Sequence, residues 1–118
     1  MSDYRIYHNP RCSKSRATLA LLEEHGVEPK VIEYLNAAPS AAELRDIVRK
    51  LGIKPVELVR KGEEIYKEKY AGKTLTDAQW IDAMIADPIL IERPIVVHGE
   101  RAVIGRPPEN VQRLFARR

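Results

Sequence analysis

Two short apolar runs, residues 5–8 and 30–35, bracket a helical stretch over residues 13–25, and this order leaves few folds open. Strand, helix and strand within so few residues form a βαβ unit whose two strands run parallel. The helix carries Leu19 and Leu22 toward a core, and Gly26 is placed to stop it. The second run holds Val31, Ile32 and Tyr34.

The middle of the chain is helical in pattern. Ser40 and Glu43 read as an N-cap and capping box for a helix with Leu44, Ile47, Val48 and Leu51 on one face, ended by Gly52. Pro55 opens a short helix that runs to Arg60, and a further helical piece covers residues 63–70. Thr76 with Gln79 forms a second capping box, ahead of Trp80, Met84 and Ile85, and Pro88 closes that helix. Strand pattern returns at residues 94–97 and 101–104 around a turn at residues 98–100, a β-hairpin. Pro108 starts a last helix carrying Val111, Leu114 and Phe115. This order predicts an α/β chain of thioredoxin-like fold, with a mixed four-stranded sheet and flanking helices. It predicts one domain over residues 1–118, with a helical subdomain inserted at about residues 40–91.

The only cysteine, Cys12, stands where the first strand gives way to the first helix. There it meets unpaired N–H groups and the positive end of the helix dipole, and both favour thiolate over thiol. His8, Arg11, Lys14 and Arg16 add positive charge nearby, and Pro10 stiffens the approach. Ser13 and Ser15 offer hydrogen bonds at the start of the helix. A lone cysteine inside an apolar run reads as a small buried hydrophobe. Polar and basic neighbours point instead to a nucleophile.

Other classes are excluded by composition. One cysteine allows no internal disulfide, and no Cys/His cluster has zinc-ligand spacing, so no bound metal is expected. The net charge of +3 is dispersed among alternating acidic and basic residues, apart from Arg117-Arg118, and lacks the basic stripe of a nucleic-acid surface. No apolar run reaches membrane-spanning length, and the N-terminus lacks a signal-peptide core. The expectation is a cytoplasmic protein with neither nucleic-acid nor membrane partners.

Cys12-Ser13-Lys14-Ser15 is C-x-x-S at the redox position of a thioredoxin-like fold, with serine in place of the second cysteine. Arg93-Pro94 directly precedes a strand, where such folds carry a cis proline facing the thiol, so Pro94 is the cis-proline candidate. Arg93 beside it, Arg106 in the turn after the hairpin and Arg60 in the insert are candidates to bind a tetrahedral oxyanion through charged hydrogen bonds. They would also stabilise charge that builds on the oxyanion during attack. The C-x5-R loop of cysteine phosphatases is absent, because Thr18 stands where its arginine would be.

Tyr7-His8-Asn9-Pro10-x-Cys12, Ser15-Arg16-x-Thr18-Leu19, Ile91-Glu92-Arg93-Pro94-Ile95-Val96-Val97 and Gly105-Arg106-Pro107-Pro108 together resemble the glutaredoxin-coupled arsenate reductase family over nearly the whole chain. The resemblance implies that Cys12 attacks arsenate, that Arg60, Arg93 and Arg106 hold the oxyanion, and that His8 and Ser15 favour the thiolate. It also implies that glutathione is a co-substrate supplying the second thiol, that glutaredoxin clears the mixed disulfide, and that no cofactor is bound. The family usually carries Gly-Thr after the cysteine, where this chain has Ser13-Lys14. Two alternatives stay open at this point. One is a glutathione-dependent thiol or disulfide reductase with little arsenate activity. The other is a non-enzymatic regulator like the Spx proteins, although Ser15 removes the C-x-x-C switch common among them.

Overall fold

The first apolar run forms strand β1 (Tyr4–Tyr7), followed by helix α1 (Ser13–Glu24) and strand β2 (Lys30–Ile32) in a computed structural model that describes residues 4–115. β2 is shorter than the apolar pattern predicts. Backbone N–H groups of Asn36 and Ala37 both turn back to the Glu33 carbonyl, at 2.9 and 3.1 Å, so Tyr34 and Leu35 leave the strand. Helix α2 (Ala41–Leu51) is capped by Ser40, whose Oγ accepts the Glu43 N–H at 3.1 Å, and ends at Gly52 in the left-handed conformation. Helices α3 (Glu64–Lys69) and α4 (Asp77–Ala86) follow, then strands β3 (Ile95–His98) and β4 (Arg101–Ile104). The last helix opens as a 3-10 turn, Pro108–Val111, and continues as α5 (Gln112–Phe115).

The chain divides into two compact units. One is made of the residues up to Ala37 together with those from Arg93 onward, and the other is Ala38–Glu92. In the first unit the sheet order is β2-β1-β3-β4. β1 pairs parallel with β2 and antiparallel with β3, and β3 pairs antiparallel with β4 around Gly99, whose φ of +62° only glycine adopts readily. This is the thioredoxin-like arrangement. Its core is Ile6, Leu22, Val96, Val111 and Leu114, with Leu19, Val103 and Phe115 packed around them. Leu22 of α1 and Val111 and Leu114 of the C-terminal turn pack on Ile6 and Val96 and cover one face of the sheet.

In the helical unit α4 packs on α2 and on two 3-10 turns, Pro55–Leu58 and Pro88–Leu90, burying Leu44, Ile47, Leu58, Ile81, Met84 and Leu90. The Thr76–Gln79 capping box is present in both directions, at 3.1 and 2.8 Å. Trp80 is buried beside the rings of Tyr66 and Tyr70. The helix expected from Pro55 to Arg60 stops early. Val59 takes an extended conformation and bridges Ile91, the Arg60 N–H reaches the Leu90 carbonyl at 2.7 Å, and the Glu92 N–H reaches that of Leu58 at 2.9 Å. Arg60 therefore follows a short two-stranded bridge, not a helix end. Among the described residues no helix is long and apolar enough to cross a membrane.

Candidate active site

Strand directions bring four segments to one end of the sheet. β1 and β2 are parallel, so the Cys12 loop after β1 and residues Glu33–Asn36 after β2 leave at the same end. β3 enters and β4 leaves at that end, which adds Arg93 and Arg106. The order across the sheet is therefore the β2 exit, the Cys12 loop, Arg93 and Arg106.

Cys12 occupies the N-cap position of α1 with extended backbone angles, and the first turn of the helix contains no acidic residue. Burial pushes its thiol up. The backbone N–H of Ser15, the guanidinium of Arg93 and the backbone N–H of Lys14 outweigh that effect, and the pKa lies below the ordinary thiol value. A sulfur in the place of a capping oxygen thus gathers the helix N–H groups that a thiolate needs. Arg106 Nη1 lies 3.6 Å from Cys12 Sγ and donates to the Arg93 carbonyl at 3.3 Å. Arg93 and Arg106, the two oxyanion candidates in this unit, converge on the sulfur. Cys12 should react with iodoacetamide with a half-maximal pH below 9.0, the ordinary thiol value. Arg93→Ala should move that midpoint upward, because the thiolate loses a cation; an unmoved midpoint would rule out Arg93 as a thiolate partner.

His8 and Ser15 act together. His8 is 6% exposed, and its Nδ1 lies 2.7 Å from Ser15 Oγ, which also accepts the Asn9 N–H at 3.0 Å. Burial pushes the His8 pKa down; Glu33 opposes this and Arg16 adds to it. His8 therefore meets Ser15, and its connection to Cys12 runs through the helix turn that Ser15 anchors. The Arg93–Pro94 peptide is cis, and so is Arg106–Pro107, for which the sequence holds no distinct sign. Arg60 belongs to the helical unit. There its guanidinium is shared by Glu63 Oε2 at 3.1 Å and Glu92 Oε1 at 2.6 Å. Burial pushes its pKa down, but the two carboxylates more than offset this and it stays charged.

Several further residues shape the loop. Asn9 Oδ1 accepts the Arg11 N–H and its carbonyl accepts the Cys12 N–H, both at 3.0 Å, an Asx-type turn that the Asn-Pro pair announces. Arg16 Nη1 turns to the Pro10 carbonyl at 2.8 Å, and the side chain of Lys14 is exposed. Asn110 Nδ2 holds the Ile104 and Arg106 carbonyls at 3.2 and 3.1 Å. Gly105 packs so closely on α1 that an added Cβ would lie 2.6 Å from Thr18 Oγ1, whose proton is shared between the Lys14 carbonyl at 2.8 Å and the Gly105 carbonyl at 3.2 Å. Gly105→Ala should therefore destabilise the protein by about 1–3 kcal/mol in urea unfolding, the scale of overpacking a tight site. In a Thr18→Ala background the same substitution should cost less, and an equal cost would locate the strain elsewhere.

The ArsC family model matches residues 7–114. An uncharacterized protein of Escherichia coli K12, YfgD, is 53% identical over 109 residues, covering 91% of this chain and 92% of its own. An arsenate reductase of Haemophilus influenzae is 48% identical over 108 residues, covering 90% and 93% respectively. The structure of an arsenate reductase from Vibrio cholerae superposes with a TM-score of 0.91 at 49% identity, over 95% of this chain and 97% of that one. With a thiol at the head of α1, two arginines on its sulfur and a family match from Tyr7 to Leu114, this chain belongs to the ArsC family.

Proposed function

We propose that the protein is an arsenate reductase. Cys12 serves as its nucleophile, glutathione as the source of the second thiol, and a glutaredoxin as the agent that regenerates the free thiol. The observation that carries this reading is the geometry at Cys12, a thiol at the head of α1 with Arg106 Nη1 at 3.6 Å from its sulfur; the Ser15 and Lys14 N–H groups and the Arg93 guanidinium favour its thiolate. The relatives named arsenate reductase support the choice of oxyanion. In the first step the Cys12 thiolate forms a bond to arsenic, and one arsenate oxygen takes up protons and leaves as water. Arg93 and Arg106 bear on the sulfur from the side of β3 and β4, so a tetrahedral anion bonded to it would sit within their charge. The resemblance also implies Arg60, whose Nε and Nη1 are held by Glu63 and Glu92 within the helical unit. In the second step the glutathione sulfur bonds to Cys12 Sγ, the S–As bond breaks with its electron pair staying on arsenic, and arsenite takes up protons and leaves. Arsenic gains two electrons, and the two thiols lose one each to become a mixed disulfide. Such chemistry requires a reducing compartment, which fits a cytoplasmic location.

Arsenite formation from arsenate, with glutathione and a glutaredoxin supplied, tests the proposal. Saturable turnover supports it. A Cys12–glutathione mixed disulfide that forms readily without any arsenite would assign the protein to thiol–disulfide reduction instead.

A further inference from the structure

Displacement at sulfur is an in-line event: the incoming thiolate must approach opposite the bond that breaks. With the oxyanion held by Arg93 and Arg106, on the β3 and β4 side of the Cys12 loop, the β2 side is the one left for the second thiol. A cavity of about 310 Å³ lies on that side, lined by residues 8–11 of the Cys12 loop and by Glu33, Leu35 and Asn36. Its volume is at the lower end of the range for small-molecule pockets, enough for a short peptide. Three of its walls are the residues immediately before Cys12, and the Cys12 N–H is bonded to one of them, Asn9.

The lining has a definite chemistry. Arg11 and Glu33 place opposite charges on the cavity, the side chains of both are exposed, and buried Asn9 adds an amide. Leu35 is 39% exposed and supplies an apolar wall. A carboxylate and an ammonium at the two ends of one small ligand would meet Arg11 and Glu33, with the chain between them lying against Leu35 and Asn9. From this we infer that the cavity between the Cys12 loop and the β2 exit seats a small zwitterionic peptide thiol of glutathione's charge pattern, with Arg11 meeting a carboxylate, Glu33 the ammonium and Leu35 the chain between. The inference rests on the proposed second-thiol step, and it assigns that step a place.

The test compares how fast Cys12 takes up a mixed disulfide from glutathione disulfide and from neutral hydroxyethyl disulfide, at fixed pH and ionic strength. The ratio of the two rates cancels changes in thiolate population. In Leu35→Trp, which fills the cavity without altering charge, the ratio should fall about tenfold. In Glu33→Gln it should fall about threefold, the scale of an exposed charge contact. Simple charge steering makes the opposite prediction there, because removing a carboxylate speeds the approach of an anionic disulfide. A ratio within about twofold of the parent in Leu35→Trp, or one that rises in Glu33→Gln, overturns the assignment. Neither rate involves arsenate. A parent protein that makes no arsenite would therefore count against the reductase reading while leaving this ratio intact as a measure of the seat.

Discussion

Cys12→Ser should reduce arsenite formation to the uncatalysed background while leaving the fold as stable as the parent or slightly more so. The first half follows from the nucleophile. A serine hydroxyl at this site stays protonated at neutral pH, and an ester oxygen cannot give the electron that a thiol gives when a second thiol attacks. The chain has no other cysteine to take over. The second half follows from the helix. Cys12 is the N-cap of α1, and no side-chain oxygen caps that helix. Serine is among the best N-cap residues, so its Oγ can accept a first-turn N–H that the sulfur holds at longer range, a gain of a few tenths to about 1 kcal/mol. Assays of arsenite and of urea unfolding on the same preparation check both halves. Residual turnover above background would take the chemistry away from Cys12, and a markedly lower unfolding midpoint would mean that the thiol is there for packing.

That separation between chemistry and stability was visible in the sequence only in part. The βαβ unit, the hairpin and the caps at Ser40 and Thr76 follow from local spacing, since apolar periodicity and capping are short-range properties. β2 ends at Ile32 because two N–H groups fold back on the Glu33 carbonyl, a turn that no proline or glycine marks. Likewise Arg60 leaves its expected helix because Val59 finds a partner in Ile91, far along the chain. The site divides the same way. Cys12 at a strand-to-helix junction is readable, and so is an arginine beside a proline before a strand. The cation that lowers the thiol pKa is not readable from proximity: Arg11, Lys14 and Arg16 are the sequence neighbours, yet Arg93 supplies the charge and Arg16 turns to the Pro10 carbonyl. Thr18 and Gly105 meet across the fold with no chemical signal in either.

The two arginines on the sulfur should divide their work, and Arg106→Ala is where the division becomes measurable. Arg93 donates to the sulfur and lowers its pKa, so removing it damages thiolate formation as well as anion binding. Arg106 donates from Nη1 to Sγ at 3.6 Å, but it is not among the groups that lower the thiol pKa, and the same donor is placed to serve an oxygen bonded to that sulfur. Its guanidinium is steadied by the Arg93 carbonyl, and its loop by Asn110 and by the Thr18–Gly105 bond. Preorganised donors of this kind are worth about 10²–10³-fold in rate. Arg106→Ala should therefore lower kcat/KM for arsenate by about two to three orders of magnitude while changing the rate of iodoacetamide alkylation by less than about threefold. Arg106→Lys should recover only a small part, since a point charge replaces a planar fork. The uncharged alkylating agent needs only the thiolate, whereas arsenate needs the thiolate and a charge on its oxygens. If Arg106→Ala slowed both reactions equally, Arg106 would be a thiolate partner like Arg93, and the oxyanion would have to be held by other residues.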